Sequence, residues 1–378
     1  HIDDWKEKVV AIIPSHGHLD HVGAIPFAAT LFPPSAKIIG TPYTIEVLKS
    51  ILRDEHLKIP HQFVILNSGK SYKLSKKITV EFIHITHSIP QTAVVVIHTP
   101  HGKVVYANDF KLDNTPVLGK KPDYAQLKKL GKAGVKLLII NSLYAHEHKK
   151  CPSESVAQEM LRDTMLSVSS EGKAMIVTTF SSHLARLKSI IALGHKLNRK
   201  IVLLGRSLDK YVVAGEKLGI INFTNQVTLL RQRDQVEKML QRIQKEGKEK
   251  YLIVCTGHQG EPKAILSRIA RGELDFKFEQ GDVVIFSCQV IPVEINIENR
   301  DKLERILRSR GVRIFRDVHV SGHGAREDHR ELLEMLRPEH IIPIHAEPAK
   351  GRMMAELALQ MGFKNTHVME DGKRLSLK

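Results

Sequence analysis

Six consecutive residues, His16-Gly17-His18-Leu19-Asp20-His21, carry four side chains able to bind a metal, and this spacing constrains the chain more than any other feature. Alternate residues of an extended segment point the same way, so His16 and His18 can grip one ion while Asp20 and His21, beyond a turn, reach a second. Imidazole and carboxylate are ordinary nitrogen and oxygen donors for zinc. The apolar run Val9-Val10-Ala11-Ile12-Ile13 just before the hexad reads as a buried strand that ends at the site. A fold that honours this pattern must end a strand at a rigid rim and bring further donors there from distant segments.

Three more strand ends offer such donors. In Phe82-Ile83-His84-Ile85-Thr86-His87-Ser88-Ile89-Pro90 a strand runs into a proline-stopped loop, with His87 at its end. His84 lies inside that strand, faces the other way and reads as a structural histidine. Asp109 follows the strand Val104-Val105-Tyr106-Ala107, where a carboxylate can bridge two cations, and His345 closes Ile341-Ile342-Pro343-Ile344. A dinuclear site of this composition leaves each ion an open or solvent-bridged position for hydrolytic chemistry.

With 378 residues the chain exceeds one ordinary core, so two interleaved domains are expected. Its net charge of +16 beside 42% hydrophobic residues describes a folded basic protein suited to polyanionic partners, nucleic acid before membrane. No apolar run approaches the roughly 20 residues of a bilayer span, and no signal-peptide pattern opens the chain. Cys151, Cys255 and Cys288 are too few and too scattered for a disulfide framework, so a soluble, cytoplasmic protein is expected. His1 is not a natural start, and further N-terminal residues are expected to precede it.

From Val9 to Phe110 short strands alternate with helices. Ala24 to Leu31 reads as a short helix stopped by Phe32-Pro33-Pro34, Lys37 to Gly40 as a strand, and Thr44 to Arg53 as a helix with an N-cap threonine. Strands are expected at Ser71 to Leu74, Thr79 to Ile85, Ala93 to His98 and Lys103 to Ala107. From about Val135 the rhythm changes. Apolar strands at Leu137, Ala174, Ile201, Leu252, Asp282 and Val312 alternate with helices from Ser155, Ser182, Leu208, Gln235, Pro262 and Asp301, a pattern of parallel doubly wound sheets. The charged helix across Arg231 to Lys250 reads first as a solvated face, then as an RNA-contacting one. Val318 to Leu377 returns to short strands with two helices.

The motifs HGHLDH, THSIPQT, YANDFKLD, HVSGHG and IPIHAE, with a long α/β insertion before the last two, resemble the metallo-β-lactamase superfamily and its β-CASP nucleases. Two segments make the chain similar to the ribonuclease J family in particular: HSIPQT around His87, and Thr256-Gly257-His258-Gln259-Gly260-Glu261-Pro262. No extra C-terminal domain is expected after the last metallo-β-lactamase segment, which is similar to the shorter archaeal form. The resemblance implies an αββα sandwich, its N-terminal part missing, at residues 1–142 and 318–378, with a Rossmann-like parallel β-CASP domain inserted at 143–317. It implies that the insertion lies over the active site as a lid.

The same resemblance places His16, His18, His87 and Asp109 on a first zinc ion and Asp20, His21, Asp109 and His345 on a second. It implies attack on the scissile phosphorus by a bridging hydroxide oriented by Asp20, with His323 of Ser321-Gly322-His323 protonating the leaving 3′-oxygen. His319 and Ser321 are expected donors to substrate phosphate. So is the turn Ser181-Ser182-His183, unless it only caps the following helix, and Gly257, Gln259 and Gly260 belong to the same set. Where the family carries Asp or Glu to pair with the histidine, this chain has Asn141, which can hydrogen-bond an imidazole but cannot stabilise its charged form. Reduced activity follows, unless Glu147 or Glu154 supplies the acid. Pro292-Val293-Glu294 stands where bacterial members have a PGN-like turn.

The implied function is zinc-dependent hydrolysis of RNA from a 5′-monophosphate end. Endonucleolytic cleavage by the same chemistry and a non-catalytic RNA-binding subunit are the alternatives. Single-stranded RNA is the expected partner, with RNA-decay or ribosome-associated proteins and a second copy of the chain as further candidates.

Overall fold

A computed structural model describes residues 2–377. The chain forms two compact units: His1–Asn114, Lys120–Pro152 and Ser321–Lys378 build the first, Thr115–Gly119 and Ser153–Val320 the second.

The first unit is a stack of four layers. Its larger sheet has six strands in the order His340–Ile344, Leu137–Asn141, Gly102–Ala107, Ala93–Thr99, Thr79–His84 and Ser71–Lys73. The first three run parallel and the rest antiparallel. A smaller parallel sheet of Ala11–Ile12, Lys37–Gly40 and Phe63–Ile65 faces it. Because side chains alternate along a strand, neighbours enter different cores. Phe82 and Val95 pack with Ile39 and Val64 between the sheets. Ile83 and Val94 instead meet Leu127, Leu332 and Leu357 from the helices Tyr124–Lys132, Arg326–Leu336 and Pro348–Gln360. Helix Pro42–Asp54 covers the smaller sheet with buried Ile45 and Leu48. The result is the αββα sandwich.

Several elements depart from the sequence reading. The strand before the hexad is two residues long and half-buried rather than buried, with Val10 54% exposed, because it pairs with a neighbour on one side only. Helix Pro42–Asp54 starts before Thr44: proline takes its first turn, where a missing N–H costs nothing, and Thr41 is the capping residue. Leu137–Asn141 joins the mixed sheet of the first unit instead of a doubly wound one, since an apolar run covered on both faces looks the same in either.

The second unit is a six-stranded, wholly parallel sheet in the order Thr228–Leu230, Lys200–Leu204, Tyr251–Cys255, Met175–Thr178, Val283–Phe286 and Arg313–Phe315. Leu204, Ile253 and Phe286 on one face pack with Leu240, Ile269 and Leu303 of the crossover helices. Thr228–Leu230 escaped the sequence reading because it is a short, largely open edge strand. Helix Glu294–Ser309 begins seven residues before Asp301. The loops after the strands, including Thr179 to His183 and Thr256 to Gly260, share the carboxyl edge of the sheet, where open parallel sheets hold ligands.

Candidate metal centre

The hexad does not stay extended. It leaves Ala11–Ile12, passes His16 and His18, and coils into the short helix Leu19–Val22, with His18 at its N-cap position. That coil turns Asp20 and His21 away from His16 and His18. His87 follows the Thr79–His84 strand, Asp109 follows Gly102–Ala107, and His345 follows His340–Ile344, so four strand ends meet at one rim.

Two donor sets result, each within 4.8 Å: His16, His18, His87 and Asp109, and Asp20, His21, Asp109 and His345. Asp109 is shared. Its Oδ2 lies 3.5 Å from His16 Nε2, 3.5 Å from His87 Nε2 and 3.2 Å from His21 Nε2, and its Oδ1 lies 3.5 Å from His345 Nε2. The first set is enclosed, with His16 and Asp109 at 0% and 3% exposure, whereas Asp20 and His345 open to solvent. His345 has a φ of +60°, a conformation that costs a non-glycine residue energy and turns its ring off the strand end.

The surroundings aim these rings. His87 Nδ1 donates to the Gly322 carbonyl at 2.6 Å, which leaves Nε2 as the inward donor atom. A Cβ at Gly322 would meet Ser88 Oγ at 2.6 Å, so only glycine lets that carbonyl approach. His16 Nδ1 meets Ser15 Oγ at 2.9 Å, and the Asn108 amide approaches His21 Nδ1 at 3.4 Å. Ser15 and Asn108 escaped the sequence reading, since no spacing distinguishes a ring-orienting amide from a surface one. Lys111, 3% exposed, donates to the Ser321 carbonyl at 3.1 Å and steadies the Ser321-Gly322-His323 loop.

Burial pushes the pKa of His16 and His87 well below the usual histidine range, and that of His18 to about 4, so all three rings are neutral at pH 7, the form that can bind a metal. Burial opposes charge on His21 too. The Asp109 and Asp20 carboxylates, at 3.2 and 3.3 Å from its Nε2, outweigh it and lift His21 to about 9. Burial likewise disfavours the Asp20 carboxylate, but His21 holds it near 2. Three ring nitrogens crowd together, with His16 Nε2 and His87 Nε2 at 3.1 and 3.0 Å from His18 Nδ1. His21 Nε2 is buried without a hydrogen-bond partner of proper geometry. Converging neutral donors around a carboxylate, with a buried ring nitrogen left over, are chemistry that fits divalent cations.

His323 stands beside this cluster. Its ring stacks on His345 at 5.9 Å and 20°, and its Nδ1 is 3.8 Å from Asp109 Oδ1. Asn141 Nδ2 donates to Asp109 Oδ1 at 2.9 Å and approaches His323 Nδ1 at 3.4 Å, while its Oδ1 accepts from Leu143 N at 2.9 Å. Both ends of the amide are therefore used, and the neutral His323 facing it keeps its proton on Nε2. Glu147 pairs instead with Lys149 at 2.7 Å, and Glu154 lies in the second unit, bound to Arg186.

The remaining expected residues have defined places. Ser321 Oγ accepts from His323 N at 2.9 Å. His183 caps helix Leu184–Lys196 by accepting from Arg186 N at 3.4 Å and meets Glu154 at 3.3 Å. Ser181 and Ser182 are buried beside it, and His319 Nδ1 lies 3.4 Å from Arg186. Gln259 is spent as a clamp, donating to the Gln289 carbonyl and accepting from Ile291 N. Gly257 has a φ of +125°, and at Gly260, φ +75°, a Cβ would strike the Asn299 backbone at 2.4 Å. His84 meets the Lys120 carbonyl at 2.9 Å, a structural role.

A layered sandwich that gathers histidines and aspartates at its strand ends defines a metal-dependent hydrolase of the metallo-β-lactamase superfamily. Family comparison agrees: residues 2–150 match the beta-lactamase superfamily domain, 172–302 the "Ribonuclease J, beta-CASP domain" and 312–369 the "Zn-dependent metallo-hydrolase RNA specificity domain". The chain is 44% identical to Ribonuclease J of Methanocaldococcus jannaschii over 98% of its own length and 83% of that protein. It is also 44% identical to Ribonuclease J of Pyrococcus abyssi, covering 96% and 82%, and 31% identical to Ribonuclease J 1 of Streptococcus pyogenes, covering 100% and 65%. A crystal structure of a protein of unknown function from Enterococcus faecalis shares the fold, with a TM-score of 0.64 and 18% identity over 96% of this chain and 80% of that one. The chain belongs to the ribonuclease J family, and its identity is higher to the archaeal members than to the bacterial one. Among the described residues no helix is long and apolar enough to cross a membrane.

Proposed function

We propose that this chain is a ribonuclease that binds two zinc ions and removes nucleotides from the 5′-monophosphate end of single-stranded RNA. The observation that carries the reading is the convergence of both donor sets on Asp109, with His323 stacked against one ligand of the open set. His16, His18, His87 and Asp109 would hold one ion and Asp20, His21, Asp109 and His345 the other. Ions held there would supply a water activated near neutral pH and stabilise charge building up on the phosphoryl group.

The protein's own part is positioning and proton transfer. The exposed side of the open set admits the scissile phosphate, and Asp20, held by His21 at 3.3 Å, orients the attacking water. His323 in its charged form delivers a proton to the leaving 3′-oxygen from Nε2 and returns to the neutral ring whose Nδ1 the Asn141 amide approaches. Burial lowers the proton affinity of His323, and an amide partner does not favour the charged ring as a carboxylate would, so less of it carries the proton to be delivered. His319 and Ser321 contribute phosphate contacts, with Ser181, Ser182, His183, Gly257, Gln259 and Gly260 lining the carboxyl edge of the parallel sheet. RNA labelled at either end and bearing 5′-monophosphate, triphosphate or hydroxyl tests the reading. Mononucleotides released from the monophosphate substrate alone support it, whereas internal fragments from all three indicate an endonuclease. Metal analysis should find about two zinc ions per chain.

A further inference from the structure

The hairpin at the edge of the larger sheet in the first unit carries cations that the fold does not use. From His56 through Val80 the sequence contains no aspartate or glutamate, yet it holds Lys58, Lys70, Lys73, Lys76 and Lys77. Lys70, Lys73, Lys76 and Lys77 are all exposed, and none has an ion-pair partner among the described residues. Some other surface lysines of the same unit are paired, as Lys136 is with Glu339 at 2.6 Å and Lys150 with Glu331 at 2.5 Å.

The array is also held in shape. Ser71–Lys73 pairs antiparallel with the next strand, and Leu74 N and Ser75 N both donate to the Ile78 carbonyl, at 2.9 and 3.1 Å. Ser75 Oγ accepts from Lys77 N and Ile78 N at 3.2 and 3.1 Å, which fixes the tip that carries Lys76 and Lys77. Lys37 adds a further cation at the base by donating to Tyr72 Oη at 2.7 Å. With the backbone already ordered, only the lysine side chains lose freedom when they meet a polyanion.

The strand Thr79–His84 runs from this tip towards His87. At about 3.3 Å per residue it separates the lysines from the metal cluster by roughly 20 Å. We propose that the hairpin is a second RNA-binding surface, which holds backbone phosphates of the substrate away from the scissile bond. The inference rests on the ribonuclease reading above. Lysine meets phosphate as a point charge and reads no base, so the surface is indifferent to sequence. A stacked strand advances about 3.4 Å per nucleotide, so only RNA reaching at least about six nucleotides beyond the centre feels it.

The test compares the full chain with its K70E/K73E/K76E/K77E variant on 5′-monophosphorylated RNA of about five and about forty nucleotides. For the long RNA we expect at least a tenfold rise in KM and a fall of about 1 to 3 in the slope of log affinity against log salt, since each lost phosphate contact removes about 0.7. The short RNA should change less than twofold, which also reports an intact fold. Unchanged values for the long RNA overturn the proposal: the lysines then only guard a free sheet edge, a role that glutamate fills as well. Equal losses for both lengths overturn it too. Should the variant fail to fold, acetylation of the wild-type lysines read by mass spectrometry replaces it, with protection of Lys70, Lys73, Lys76 and Lys77 by long RNA expected and equal labelling the refuting result. A wild-type chain that binds neither RNA would instead refute the ribonuclease reading.

Discussion

Each unit contains a buried knot of ionisable groups, and the two are built to opposite ends. In the second unit Arg186, 0% exposed, donates to both oxygens of Glu154 and to the Ser287 and Val318 carbonyls, and His183 meets the same carboxylate. Its charges cancel and its donors are used. In the first unit six imidazoles face one buried carboxylate, Asp109: those of His16, His21, His87 and His345 within 3.5 Å, that of His323 at 3.8 Å, and that of His18 within the same donor set. Its nitrogen donors outnumber what one carboxylate can accept. A buried cluster that satisfies itself holds a fold together, whereas one that leaves matched donors over is arranged for a ligand.

Removing the shared carboxylate breaks this contrast most sharply. Asp109→Asn should abolish metal loading of the open set and reduce kcat by at least about a thousandfold, because several kcal/mol of charge stabilisation go with it. Metal analysis beside a ribonuclease assay checks this, and the melting temperature should move little in comparison. Glu154→Gln should do the reverse. It leaves Arg186 charged and under-partnered in the interior, at a cost of about 3–5 kcal/mol by denaturant titration, while the metal content of the chain that remains folded is unchanged.

The same carboxylate predicts a pH dependence. Although burial opposes its charge, His183 and Arg186 hold the Glu154 pKa well below the carboxylate range. Its contribution to stability is therefore complete above the unfolded carboxylate pKa, near 4.3, and is lost as pH falls below it. The Gln variant should lose that part of its acid sensitivity.

Asn141→Asp sharpens the reading of the metal cluster itself. A carboxylate facing His323 Nδ1 favours its charged form and should carry the alkaline limb of the pH–rate profile up by about one unit, giving about a tenfold gain on that limb. An unchanged profile would show that His323 is not the proton donor. The smallest effect is a count of protons. Metal-free His21, with its pKa near 9, is protonated at pH 7 and must be neutral to bind. Zinc loading at pH 7 should release about one proton from it, and calorimetry in buffers of different ionisation enthalpy reads that number.

Much of this was legible in the chain. The hexad, His87, Asp109 and His345 each lie just beyond an apolar strand, and a strand end is a place that sequence can locate. The parallel unit was readable from its repeated apolar strands, as in Tyr251–Cys255, which is buried throughout. Less visible were the elements whose assignment depends on neighbours. The two-residue strand Ala11–Ile12 and the edge strand Thr228–Leu230 lack full cover, and Leu137–Asn141 could have joined either sheet. Positioning groups such as Asn108 and the Gly322 carbonyl were invisible because their function lies in a contact across 87 and 235 residues of sequence.

The sequence by itself determined the donor types, their sharing between two sets and the family to which the chain belongs, because covalent spacing and strand periodicity are local properties. The tertiary structure alone decided which set is enclosed and which is open. It also showed that the Asn141 amide serves Asp109 as well as His323, and that Glu154 belongs to a structural ion pair. These depend on packing between segments far apart in the chain, and it is packing that sets burial, dielectric surroundings and hydrogen-bond partners.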